Sequence, residues 1–268
     1  MQYYSQIYGM LFIDQLKTTI ELDSYPKRIV SLVPSQSELL WDLGLTNELV
    51  GITKFCIHPE DLFKNMTKVG GTKTLNVQKI IDLNPDLIIG NKEENEQSQI
   101  IELKKHVPVW MSDIYNLSDT LLMIESLGNI TNKQNEATNI KNQIAQSFLQ
   151  LKTTSKSVLY LIWKNPFMAA GTNTFINDML LKMGLKNVLN QENSRYPELS
   201  IEDMIHLNPE VIFLSSEPYP FKELDINFLH HKLPNTQILL VDGEMFSWYG
   251  SRLLKSSAYF NQLIDLHF

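Results

Sequence analysis

The segment IIDLNPDLIIG at residues 80–90 returns, slightly altered, as MIHLNPEVIFL at residues 204–214. In both copies an apolar-periodic stretch runs into Asn-Pro, and a short, almost wholly apolar run follows. Pro85 and Pro209 bias the preceding Asn away from the α region, so each helix is expected to stop there. The runs Leu87–Ile89 and Val211–Leu214 are too short for helices. They suit strands covered on both faces, as in a parallel sheet. A helix–strand unit written twice implies two similar lobes. One Asn-Pro helix end by itself is ordinary, so the inference depends on whether the rest of the chain repeats as well.

It does. Lys27–Pro34 (KRIVSLVP) reads as a buried strand; Ser35 and Glu38 then stand at capping-box spacing before a helix that ends at Gly44. In the second half Ser157–Trp163 (SVLYLIW) is the strand, Gly171–Thr174 a turn, and a helix runs to Gly184. ELVGIT (48–53) and KNVL (186–189) come next, and Asn76 and Ser200 stand as caps before the two repeated helices. VPVWMSD (107–113) and QILLVDG (237–243) close the halves as strands. This alternation predicts an α/β fold with two parallel-sheet sandwiches. Between them Leu117–Leu127 reads as a short helix ended by Gly128. Residues 131–151, with Ile140, Ile144 and Phe148 spaced by four, read as one helix of about 20 residues, roughly 30 Å long. The expected division is an N-terminal lobe over 1–130, a bridging helix over 131–153 and a C-terminal lobe over 154–268. One stiff crossing implies limited hinge motion.

Charge and composition narrow the function. A formal net charge of −7 argues against a nucleic-acid or anionic-membrane binder. Cys56 is the single cysteine, so there is no internal disulfide, and the six histidines show no metal-ligand spacing. No apolar run approaches the ~20 residues of a membrane span. Residues 1–16 lack Lys, Arg, an apolar h-region and an early lipid-anchor cysteine, so no secretory signal or lipobox is read there.

At this point the pattern is recognisable. RIVSLVPSQSELLWDLGL, VGGTKTLNVQKIIDLNPDLIIG, the isolated long helix, LIWKNPFMAAG, SRYPELSIEDMIHLNPEVIFLS and FSWYGSRLL follow in order from about Phe12 onward. Together they resemble the helical-backbone (class III) substrate-binding proteins of ABC importers. The likeness is strongest to periplasmic vitamin B12-binding proteins and extends to ferric-siderophore- and haem-binding ones. The resemblance implies two lobes bridged by one long helix, with a ligand cleft between the lobes. It also implies a monomer that binds cobalamin or an iron complex as cargo, without a resident cofactor or enzymatic activity, and delivers it to a permease dimer. It implies a periplasmic location; the absent signal leaves as the alternative a cytoplasmic binding or sensor protein of the same fold without a transporter.

Ligands of open α/β sheets sit at the carboxyl ends of the strands. That selects Pro34–Ser37, Phe55–Pro59, Gly70–Lys73 and Gly90–Glu94 in the first half, and Trp163–Phe167, Ser194–Tyr196 and Phe246–Arg252 in the second. The second set is aromatic, which suits a large flat ligand: Trp163, Phe167, Tyr196, Trp248 and Tyr249, with Arg252 nearby. Phe246 reads equally well as core. In the first set Phe55, Thr72 or Lys73, and Asn91 fill positions where the resemblance implies aromatic residues. Only Phe55 keeps that character, which leaves room for a smaller or more anionic ligand. The resemblance also implies one docking glutamate per lobe for the permease. Glu202 fits in the second lobe, and Gln78 holds the matching place in the first, with Asp82 one turn along. A competing enzyme reading would use Cys56 as nucleophile and His58 as base; residues that close in sequence rarely have that geometry. A buried thiol is the simpler expectation.

Overall fold

The computed structural model describes residues 9–189 and 194–268, so the signal-sequence reading of residues 1–16 falls partly outside the described residues. The chain divides into two compact units. The first runs to Ile114 and adds Ser118–Ile144 and Gly250–Arg252; the second comprises Tyr115–Leu117, Ala145–Tyr249 and Leu253–Phe268.

The first unit opens with the antiparallel hairpin β1 (Met10–Ile13) and β2 (Thr19–Leu22). Then come β3 (Ile29–Ser31), α1 (Pro34–Asp42), β4 (Leu49–Ile52), α2 (Glu60–Asn65) and β5 (Thr67–Lys68). Next are α3 (Val77–Asp82), β6 (Leu87–Asn91), α4 (Gln97–Leu103) and β7 (Val109–Ser112). Its five-stranded sheet is ordered β5-β4-β3-β6-β7, and every pair is parallel. The hairpin covers the β7 edge: Gln15 N–H donates to the Met111 carbonyl (3.1 Å), and buried Asp14 accepts from Met111 N–H (3.3 Å).

Two helices follow, α5 (Leu117–Ile130) and α6 (Gln134–Leu149). Both depart from the sequence reading. Gly128 does not end α5; it lies inside the helix, where a Cβ would stand 2.3 Å from the Ala137 Cβ of α6. Gly is there for close helix approach, and Asn132, at φ 58°, makes the break instead. The long helix is therefore 16 residues rather than about 20, and it passes from the first unit into the second between Ile144 and Ala145.

The second unit holds β8 (Ser157–Trp163), β9 (Phe167–Ala169), α7 (Phe175–Lys182), β10 (Lys186–Asn187) and β11 (Glu198–Leu199). It continues with α8 (Ile201–Leu207), β12 (Val211–Ser215), α9 (Glu223–Lys232), β13 (Gln237–Val241), α10 (Gly243–Ser247) and α11 (Leu253–His267). Its sheet is ordered β11-β9-β8-β12-β13, with β10 also on β8. β8, β12, β13 and β10 are parallel, as expected. β9 turns back antiparallel on β8, and β11 on β9, so this sheet is mixed and Phe167 lies on a strand rather than in a loop.

The repeated segments occupy matching places in separate sheets. β6 lies between the first and last strands of its parallel sheet, β3 and β7, and β12 lies between β8 and β13. Asn84 and Asn208 adopt nearly the same left-handed conformation, φ 46° and 45°. Asn tolerates that region better than other non-glycine residues, so it ends the helix and Pro then prevents its resumption. The acid after each Pro has an equivalent task. Asp86 accepts from the N–H groups of Lys27 and Arg28 (2.8 and 3.0 Å), just before β3. Glu210 accepts from Ser157 N–H (2.8 Å) at the start of β8. Each repeat thus ends a helix and fastens the first strand of its own sheet. The Asn76 and Ser200 caps form as expected, onto the N–H groups of Lys79 and Asp203. Gly44 and Gly184 end equivalent helices at φ 79° and 74°. The Ser35–Glu38 capping box does not form: Pro34 opens α1, Val33 is its N-cap, and Glu38 is used elsewhere.

Candidate functional site

In the first unit the carboxyl ends of the strands carry a polar mouth. Phe55, after β4, is 50% exposed, with the Lys54 ammonium 5.1 Å from its ring centroid. Gly71 lies beneath it; a side chain there would meet Phe55 Cε2 at 3.2 Å. Lys73 is exposed and donates to the Glu93 carbonyl, while Lys92 pairs with Asp113 (2.7 Å). Asn91 is placed differently from a ligand contact. It is buried: its amide N–H donates to Ser112 Oγ (2.9 Å) and its Oδ1 accepts from Glu93 and Glu94 N–H (2.8 and 3.0 Å). Its carboxamide therefore shapes the loop that presents Lys92–Glu94.

Cys56 lies below this mouth, fully buried, its sulfur 3.1 Å from Ser37 Oγ and 3.2 Å from Thr53 Oγ1. Burial pushes the thiol pKa up, because the thiolate would lose its hydration there. A protonated, enclosed thiol is a poor nucleophile. A disulfide reagent at neutral pH should therefore modify Cys56 far more slowly in the folded protein than in urea. Equal rates would contradict this placement.

Arg252 belongs to the first unit together with Gly250 and Ser251, although the segments on either side, ending at Tyr249 and resuming at Leu253, belong to the second. It is buried against Glu38 of α1, with Nε to Oε2 at 2.7 Å and Nη2 to Oε1 at 2.9 Å. The guanidinium that the sequence offered to a ligand is thus engaged by a carboxylate from α1. Nothing near either residue in sequence signals this pairing.

In the second unit Trp163 ends β8 with 40% of its surface exposed and stands edge-on to Tyr219, ring centroids 5.7 Å apart. Tyr196 is half-buried, and the Arg195 guanidinium, which donates from Nε to the Asn173 carbonyl (2.8 Å), lies over both Tyr196 and Tyr115. Phe167 is half-buried on β9. Trp248 and Tyr249 are buried, at 7% and 6% exposure; the Tyr249 ring packs edge-on against Phe175 (5.9 Å). Phe246 is core, in contact with Tyr160, Phe213 and Phe260. Tyr219 and Glu217, in the loop after β12, escaped the sequence reading. The repeat itself could have found them, because SSEPY follows the second copy where NKEEN follows the first.

Gln78 and Glu202 fall at the second residue of α3 and α8, both exposed and each two residues after its cap. Gln78 donates to Asp82 Oδ1 (2.8 Å), so the nearest carboxylate in the first unit is one turn further along. Among the described residues no group of three or more His, Cys, Asp or Glu side chains could hold a metal ion, and no helix is long and apolar enough to cross a membrane.

A family model for periplasmic binding proteins matches residues 29–232. The chain belongs to the periplasmic binding protein family. This is a class of solute-binding proteins. The chain is 26% identical over 195 residues to a vitamin B12-binding protein of Vibrio campbellii, spanning 70% of each. It is 27% identical over 221 residues to an uncharacterized ABC transporter substrate-binding lipoprotein of Bacillus subtilis, covering 78% of this chain and 69% of that one. The fold is similar to that of a periplasmic haem-binding protein of Vibrio cholerae, with a TM-score of 0.74 at 23% identity over 88% of this chain and 98% of that one.

Proposed function

We propose that this chain is the substrate-binding protein of an ABC-type importer for a cobalamin-like corrinoid or an iron complex such as a ferric siderophore or haem. The observation that carries the reading is a pair of large rings left exposed at strand carboxyl ends, Phe55 just after β4 and Trp163 at the end of β8. Both are poorly used by the fold, and in the second unit Tyr196 is also only half-buried. Flat conjugated ligands take their binding energy from such faces. In this reading the buried Trp248 and Tyr249 belong to the ligand site of the second unit, Lys73 and the Asn91-shaped loop supply polar contacts in the first, and Arg252 contributes through its hold on α1. The B12-binding relative supports that class of cargo, and the ABC-transporter relative supports the importer role. A thermal-shift panel of cyanocobalamin, haemin and ferric siderophores tests it. A saturable rise in Tm with one class is expected, whereas no response across the panel would overturn the reading.

Delivery to a permease is part of the proposal, with Glu202 as a docking carboxylate able to pair with Arg. Gln78 favours the second reading, a binding or sensor protein of the same fold without a transporter, because a neutral amide cannot form that pair. Fractionation of the native host separates the two. Recovery with the cell envelope supports import, and recovery in the cytoplasm alone supports the sensor.

A further inference from the structure

We propose that Glu217 is a positioning residue that fixes the indole of Trp248 through a single carboxylate oxygen, and that this hold depends on its protonation. The indole Nε1–H donates to Glu217 Oε1 at 3.0 Å, and the Ser247 hydroxyl donates to the same oxygen at 2.6 Å. The two donors are consecutive residues at the end of α10, whereas the acceptor comes from the loop after β12. One carboxylate therefore fastens two strand-end loops of the second unit together.

The surroundings are built around that carboxylate. Gly243, the first residue of α10, has no room for a side chain: a Cβ would lie 2.3 Å from Ser215 Oγ and 2.7 Å from Glu217 Cγ. Its N–H donates to Ser216 Oγ (2.9 Å), which pins the start of α10 beside the Glu217 backbone. Ser215 Oγ donates to the Glu217 carbonyl (2.6 Å) and accepts from the buried Tyr160 hydroxyl (3.1 Å). Two acids bear on Glu217, Glu244 of α10 and its N-cap Asp242. Burial, then the negative charge of these two neighbours, raises the Glu217 pKa above the ordinary glutamate value against the lowering effect of its hydrogen bonds.

An ionised carboxylate is the stronger acceptor, so the indole is held most firmly above the Glu217 pKa and less firmly below it. The effect on folding has the opposite sign. A carboxyl whose folded pKa is raised contributes stability below its unfolded pKa that is lost as pH rises through its folded pKa. Holding Trp248 is thus bought with some stability of the second unit. This rests on the reading of Trp248 as part of the ligand site for its consequence, but not for its test.

The test is intrinsic fluorescence of the ligand-free chain, with the Trp248 contribution isolated as the difference between wild type and Trp248→Phe. Trp248 emission should titrate in one step above the ordinary glutamate range. In Glu217→Gln, which keeps an oxygen to accept both hydrogen bonds, the emission should be independent of pH and Tm should exceed that of wild type at alkaline pH. A flat Trp248 signal in wild type, or an unchanged titration in Glu217→Gln, overturns the proposal. Affinity for cyanocobalamin or haemin, whichever binds, should weaken by roughly threefold on acidification in wild type and not in Glu217→Gln, the scale of one weakened hydrogen bond. If cyanocobalamin, haemin and ferric siderophores all fail to bind wild type, the ligand reading fails while the fluorescence still decides the role of Glu217.

Discussion

Arg252→Ala is expected to destabilise the first unit by about 3–5 kcal/mol, the usual consequence of leaving one member of a buried ion pair without its partner. Both side chains of the Glu38–Arg252 pair are 5% exposed, and the contact is bidentate. Glu38→Ala should cost a similar amount, because it strands the guanidinium instead. The double replacement Glu38→Met with Arg252→Met should recover most of the loss, since apolar side chains of similar volume avoid the desolvation that the ions suffer. Urea unfolding of the three variants gives the comparison directly. A loss below about 1 kcal/mol in both single variants would mean that the pair behaves like a surface salt bridge and that Arg252 is available to other partners.

Trp248→Ala or Tyr196→Ala is expected to weaken ligand binding by at least roughly thirtyfold, about 2 kcal/mol, while Lys73→Ala costs less. Aromatic anchors contribute most where they are desolvated, whereas a charge at a wet rim acts more on orientation and association rate. Trp248 is buried and hydrogen-bonded, so its truncation should also lower stability, by about 3–5 kcal/mol. Tyr196, half-buried, isolates the binding effect more cleanly. Calorimetric titration with the compound giving the largest thermal shift supplies the ordering. If Lys73→Ala is far worse than either aromatic change, an anion held by the first unit replaces the flat, aromatic-bound ligand.

Much of the fold was legible in the sequence because its decisive interactions are local. Asn76 and Ser200 cap helices through backbone groups three residues away, and Asn84 and Asn208 end the same helices by their own conformation. The strand Ser157–Trp163 was read with its exact bounds, and Cys56 is the buried thiol that was expected, while Phe246, which the sequence left open between core and ligand site, is core. The capping box at Ser35 failed for an equally physical reason. Pro34 already opens the helix without needing an N–H partner, which frees Glu38 for a distant cation.

The candidate site was legible as a set of strand-end loops but not as a set of contacts. Trp163 and Phe55 stay exposed at strand ends, as expected of large rings with few packing partners there. Asn91, Arg252 and Trp248 look in sequence like polar or aromatic groups offered to a ligand, yet each is met by a protein partner. Those partners stand 21, 214 and 31 residues away. No periodicity or spacing encodes such pairings. By itself the sequence determined the two repeated α/β units, because caps, helix ends and apolar runs act over a few residues. Only the tertiary structure decided which polar side chains remain for a ligand, because a hydrogen bond or ion pair goes to whichever segment the sheet order brings within about 3 Å.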